Sequence, residues 1–245
     1  MVTERRSPPS ESDEIPNPEE MPSPARLEAF SDGVFAIIIT LLVLDLRVPR
    51  EALLQGQPLR AALLHQWPVY VAYVLSFLQV GVVWANHHTM FHYIRRSDHL
   101  LLVLNLLLLL CVAVLPFTTA VLSEYARGSA ADRRLASQIY SVALGIAGVF
   151  FSAIWRHAMH AGLVARWADP HRLHALGRNW SFVPVFYGVA FALAFLDVRL
   201  SLVMYGLLLF YFALPGPAVV RWLTARRGRA IRRRETASRQ RATAT

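Results

Sequence analysis

Asp32 and the histidines His87, His88 and His92 are the side chains best suited to proton or metal chemistry, and all of them fall within long apolar runs. An ionisable group inside a bilayer costs about 2.5 to 3.5 kcal/mol on insertion scales, so each one requires a partner or a use. Arg26 and Glu28, in the segment Arg26-Leu27-Glu28-Ala29-Phe30-Ser31-Asp32-Gly33, can reach the headgroups, whereas Asp32 lies between one and two helical turns deeper. It therefore has to face water or another polar group, and Ser31 beside it adds a hydroxyl. His88 and His92 are four residues apart and share one helical face, a spacing that suits two zinc ligands. The zinc-protease pattern has a glutamate after the first histidine, but Thr89 stands there, and no carboxylate or cysteine is near on the same run. No metal site is expected. The imidazoles are better suited to bonding polar groups on neighbouring helices, with Asp32, Ser31 and Asn105 at matching depth. No Ser-His-Asp set, Walker loop, dinucleotide fingerprint or CxxC pair is present, so neither an enzyme nor a resident cofactor is expected.

The elements that carry these residues are spans. Of the 245 residues 55% are hydrophobic and 17% charged, against about a quarter charged in a soluble domain. The apolar residues gather into runs near the ~20 residues that a bilayer core requires. The expected fold is an all-α membrane protein with six transmembrane helices and no repeat within the chain. The spans are placed at about 27–46, 69–91, 100–122, 135–155, 180–196 and 200–214. Trp67-Pro68 opens the second with an interfacial aromatic and a helix-start proline. Pro215-Gly216-Pro217 ends or kinks the sixth.

Residues 1–24, with six acids and many prolines, read as a disordered cytoplasmic arm with no cleavable signal peptide. Residues 25–223 form the six-helix transmembrane domain and 224–245 a basic cytoplasmic tail. The lone cysteine, Cys111, lies within an apolar run and cannot form an intrachain disulfide. The formal charge is +9 and every positive side chain is arginine. No nucleic-acid motif accompanies them, so no nucleic-acid partner is expected, and the Arg-rich tail is expected to lie against anionic lipid. With six spans, 18 of the 25 arginines fall on the side that holds both termini, which places both termini in the cytoplasm.

Within the first span, Ile37, Thr40, Leu41 and Leu44 fall at i, i+3, i+4 and i+7, one stripe of a helix. Taken alone, such a stripe is the ordinary packing face of a spanning helix.

The motif around it is more specific. Arg26-x-x-x-Phe30-Ser31-Asp32-Gly33-Val34-Phe35-Ala36-Ile37, then Thr40-Leu41-Leu42-Val43-Leu44 and Pro49, resembles the prokaryotic branch of the transmembrane-protein-175 potassium channels. Trp84-x-x-His87-His88 with Phe91, and Leu104-Asn105-Leu106 leading to Leu115-Pro116-Phe117, are similar to the same family. The resemblance is carried by the first half of the chain; the last three helices agree in hydropathy. It implies a homotetramer whose first helices line a central pore without a carbonyl filter, in a bacterial plasma membrane. By that resemblance Ile37 forms the narrowest ring, Thr40 the adjacent hydroxyl ring, and Leu41 and Leu44 the next layers outward. Arg26, Phe30, Ser31 and Asp32, with Trp84, His87, His88 and Asn105, form a structural polar cluster that keeps the pore helix in register. Potassium is the expected permeant ion. An apolar constriction favours potassium over the more tightly hydrated sodium, and Thr40 hydroxyls replace part of the lost hydration. The competing reading is a proton-coupled secondary transporter using Asp32 and the intramembrane histidines. An embedded histidine enzyme and a subunit with no transport of its own are further alternatives.

Overall fold

The computed structural model of the chain describes residues 23–50 and 54–213. The arm over 1–22, the Pro215-Gly216-Pro217 break and the tail over 224–245 lie outside the described residues. Helix α1 spans Ala25–Leu41 and tightens into a 3₁₀ turn over Leu42–Asp45; a short α2, Leu59–His65, leads into α3, Trp67–Tyr93. Then follow α4 (His99–Ala113), α5 (Leu115–Glu124), α6 (Ala130–His160), α7 (Pro170–Ser181), α8 (Val183–Leu193) and α9 (Val198–Ala213). Among the described residues there is no sheet, only an isolated antiparallel bridge between Ile94 and Val164.

Among the described residues four segments are long and apolar enough to cross a membrane: Ala25–Asp45, Trp67–Tyr93, His99–Arg127 and Ala130–His160. Local chemistry sets their ends. The Asp98 carboxylate accepts from the Leu101 backbone N–H at 2.8 Å and so caps α4. Ser129 and Asp132 form a reciprocal capping box at the start of α6. Gly162, at φ +66°, supplies the left-handed turn just beyond the end of α6.

The third span is two helices. Pro116 has no N–H to give to the helical ladder, and its ring crowds the carbonyl four residues back. The backbone tightens there, with the Val114 N–H on the Cys111 carbonyl at 3.4 Å, and the Thr118 and Thr119 hydroxyls both reach the Leu115 carbonyl. The region expected as the fifth span differs as well. It begins earlier, at Pro170, as the polar helix α7 capped by Asp169, and continues through Phe182 into the apolar α8. The stretch between the expected fourth and fifth spans is thus helical at both ends.

Helix α1 packs against α3 and α4, α6 runs along α4 and α8, and α9 lies against α8 and α3. Between apolar helices in lipid, burial gives no hydrophobic gain, so contact depends on close packing and interhelical hydrogen bonds. Gly148 illustrates the first: a Cβ there would meet Val183 Cγ1 at 2.8 Å, which is how α6 and α8 come so near. The second is seen in a buried hydroxyl chain. The Tyr140 hydroxyl lies 3.1 Å from Ser76 Oγ, Ser76 2.8 Å from Thr119, and Thr119 2.8 Å from the Leu115 carbonyl. Beside it, Gln79 Nε2 donates to the Tyr187 hydroxyl at 2.6 Å, and Tyr205 donates to the Ser137 carbonyl at 2.8 Å. These bonds join α3, α5, α6, α8 and α9 into one frame for α1 to lean on.

Candidate functional site: the two faces of the first helix

One face of α1 is bonded into the protomer. Ser31 is fully buried; its hydroxyl donates to the Leu27 carbonyl at 2.8 Å, leaving the oxygen free to accept. Asn105 Nδ2 on α4 donates to that oxygen at 2.9 Å. The Asn105 carbonyl oxygen then accepts at 2.9 Å from His87 Nε2 on α3. Since an amide oxygen only accepts, the proton of this imidazole sits on Nε2, and the buried Nδ1 has no hydrogen-bond partner. The ring is held by stacking on Phe91 at 4.4 Å and by Phe35 of α1 at 5.3 Å. Three helices thus meet at one fully buried asparagine.

A second set of contacts lies beside the first. Trp84 Nε1 donates to the Asp32 carboxylate at 2.9 Å, and His88 Nδ1 lies 3.1 Å from Glu28 Oε1. Asp32 therefore has a dedicated donor, and His88 is paired with Glu28, which hydropathy alone had left at the headgroups. Ser31, Asp32, Trp84, His87, His88 and Asn105, named from sequence, are brought together. Arg26 and Phe30, expected in the same cluster, stand outside it. Both are exposed on the protomer, Phe30 by 53%, and Arg26 forms no hydrogen bond or ion pair among the described residues. They lie on the turns of α1 that face away from α3 and α4. Among the described residues no group of three histidine, cysteine, aspartate or glutamate side chains is placed to hold a metal. His88 and His92 part company: His88 turns to Glu28, and His92 packs edge-on against Trp167.

The opposite face of α1 is bare. Ile37 is 60% exposed, Leu41 43% and Leu44 67%, while Phe35, Ile38 and Leu42 of the same helix are buried. Thr40 lies on the bare face too; its hydroxyl donates to the Ile37 carbonyl at 2.8 Å, so the oxygen is still able to accept. The buried frame of Ser76, Thr119, Tyr140, Gln79, Tyr187 and Tyr205 was not singled out from sequence. Its partners are 43 to 108 residues apart, and hydroxyls are common in spanning helices.

These features define a class: a polytopic helical membrane protein whose first helix is fixed by polar bonds on one side and offers an apolar, hydroxyl-bearing stripe on the other. Comparison with known proteins makes it specific. The family described as endosomal/lysosomal potassium channel TMEM175 matches residues 26–116, which hold the whole of this site. A protein of Chamaesiphon minutus named as a potassium channel is 43% identical over 190 residues, 77% of this chain and 93% of that protein. The crystal structure of a lysosomal potassium-selective channel TMEM175 homolog from the same organism superposes with a TM-score of 0.70 at 40% identity, covering 78% of this chain and 96% of that one. A Danio rerio relative, named endosomal/lysosomal proton channel TMEM175, is 38% identical over 149 residues, 58% of this chain but 28% of that protein. The chain belongs to the TMEM175 family.

Proposed function

We propose that this protein is a potassium-selective cation channel of the bacterial plasma membrane. Four copies surround a central pore, each crosses the membrane six times, and both termini lie in the cytoplasm. The observation that carries this reading is the division of α1 into a bonded face and a bare one. A spanning helix that presents Ile37, Thr40, Leu41 and Leu44 outward has to meet either lipid or its own copies. Thr40, whose oxygen is still able to accept, suits a lumen. Around an axis, Ile37 gives the narrowest ring and the adjacent Thr40 oxygens offer partial replacement of lost hydration, with Leu41 and Leu44 as further apolar layers. Such a ring opposes sodium more than potassium, because sodium gives up its water less readily. Arg26 and Phe30, exposed on the isolated protomer, fall where neighbouring copies would approach. The polar cluster holds the pore helix in register and does not touch the ion in transit.

The six crossings consist of the four long segments, the α7–α8 rod and α9. The last of these spans 16 described residues, about 24 Å of helix. The channel needs no resident cofactor. The proton-coupled transporter gains no support, since Asp32 is engaged by Trp84 and His87 by Asn105, with no hydrogen bond linking the two. The test is Ile37→Asn in planar bilayers. A polar ring should wet the constriction and raise both potassium and sodium current at least severalfold; wild-type currents in the variant would remove Ile37 from the gate.

A further inference from the structure

The end of the molecule that holds the α3 C-terminus carries an arrangement the pore does not use. The loop after α6 is tied to that C-terminus by backbone bonds: the Arg95 N–H reaches the Leu163 carbonyl and the Ala165 N–H the Tyr93 carbonyl, both at 2.8 Å. This fixes Trp167, 63% exposed, beside Tyr93 with ring centroids 5.9 Å apart. The Arg95 guanidinium lies over the Trp167 ring at 5.8 Å, and the Arg172 guanidinium over the Tyr93 ring at 5.7 Å. His92 closes the edge, 5.3 Å from Tyr93 and 5.8 Å from Trp167.

The order is cation, ring, ring, cation. A cation–π contact of this kind does not use up the guanidinium N–H donors, which remain suited to binding phosphate oxygens in a bidentate manner. Among the described residues no carboxylate pairs with Arg95 or Arg172. The nearest acids in sequence are already engaged: Asp98 accepts from Leu101 and lies 2.7 Å from His157 Nε2, and Asp169 caps α7 through the His171 N–H. Two uncompensated cations on an aromatic step, at the headgroup end of a spanning helix, match the chemistry of an anionic lipid.

We propose that Arg95 and Arg172, placed over Trp167 and Tyr93, form a specific site for the phosphate headgroup of an anionic phospholipid. This site is distinct from the Arg-rich tail, and its occupancy ties the α6–α7 loop to the end of α3. Lipid is preferred over a free anion because the exposed Trp167 ring offers apolar contact beside the phosphate, which a soluble ion would not use.

The test is equilibrium binding of fluorescent short-chain phosphatidylglycerol and phosphatidylcholine to the full chain in detergent. Wild type, R95Q/R172Q, R95K/R172K and, at the opposite end of the helices, R133Q/R199Q are compared. The tail is intact in all four, and no current is measured, so the result is independent of the channel reading. R95Q/R172Q should weaken phosphatidylglycerol binding by about ten- to thirty-fold, taking each basic side chain near the surface at its typical worth, with phosphatidylcholine unchanged. R95K/R172K should recover only part of this, because lysine keeps charge but loses the planar fork. R133Q/R199Q should stay within about twofold of wild type, being remote from the site. Unchanged phosphatidylglycerol binding in R95Q/R172Q, or an equal loss in R133Q/R199Q, would overturn the site. Displacement of the lipid by equimolar inorganic phosphate would overturn the lipid assignment.

Discussion

Asn105→Leu removes the polar groups at which α1, α3 and α4 meet while keeping the same branched side-chain skeleton. Two interhelical hydrogen bonds disappear, to Ser31 at 2.9 Å and to His87 at 2.9 Å. Bonds of this kind between spanning helices are worth about 0.6 kcal/mol on average and up to about 1.7. His87 is also left with both ring nitrogens unpaired in a fully buried position, which adds about 1 to 3 kcal/mol. Taking both bonds at the average, the sum is about 2 to 4 kcal/mol. At roughly 2 to 4 °C per kcal/mol for a chain of this size, the thermal midpoint in detergent should fall by roughly 5 to 15 °C. The assay is intrinsic-fluorescence melting, run as a cycle with Ser31→Ala and the double variant. Because Ser31 acts on Asn105 directly, the double variant should lose less than the two single losses combined, with a coupling of about 0.5 kcal/mol or more. A midpoint within about 2 °C of wild type for Asn105→Leu, a drop well below the one worked out above, would refute the weight given to this junction. Strict additivity would refute the direct link.

Two further perturbations probe the frame. Burial raises the Asp98 carboxyl, but the Leu101 N–H and His157 more than offset this and hold it below the ordinary carboxylate range. A depressed folded value contributes stability that is present above the unfolded value near 3.9 and is lost as pH falls through the folded one. Asp98→Asn should therefore be less stable than wild type at pH 6, and the gap should close below about pH 4; a pH-independent gap would contradict this origin. Gly148→Ala should push α8 off α6, since its Cβ would sit 2.8 Å from a β-branched side chain. The expected cost is about 1 to 3 kcal/mol in detergent unfolding; a neutral or stabilising change would show that Val183 gives way freely.

Much of α1 was legible in the sequence, for a physical reason. An aspartate one to two turns into an apolar run has few affordable solutions, so Asp32 and its neighbours by themselves call for a polar partner set. Depth matching placed Asn105 and His87 in that set. It could not assign partners, because Asp32 and Glu28 are one turn apart on α1, as are Trp84 and His88 on α3, and the pairing depends on helix rotation. The bare stripe was visible as periodicity, but a spanning helix is apolar on every side, so periodicity could not say which face was bonded. Pro116 is a break signal, yet its apolar flanks read as one span. The helical ends of the stretch between the expected fourth and fifth spans carry no apolar signal, because α7 is polar and charged and its cap, Asp169, precedes a proline that also suits a loop. The Tyr140, Tyr187 and Tyr205 network carries no local signal, since each bond joins distant segments.

The central claim is conduction with a preference for potassium, and the reversal potential tests it most directly. Purified full-length protein in planar bilayers, under opposed potassium and sodium gradients, should give single-channel steps that reverse towards the potassium equilibrium potential. Silence in the bilayer, joined to solute uptake driven by a proton gradient in liposomes, would contradict the channel and make Asp32 the residue to replace.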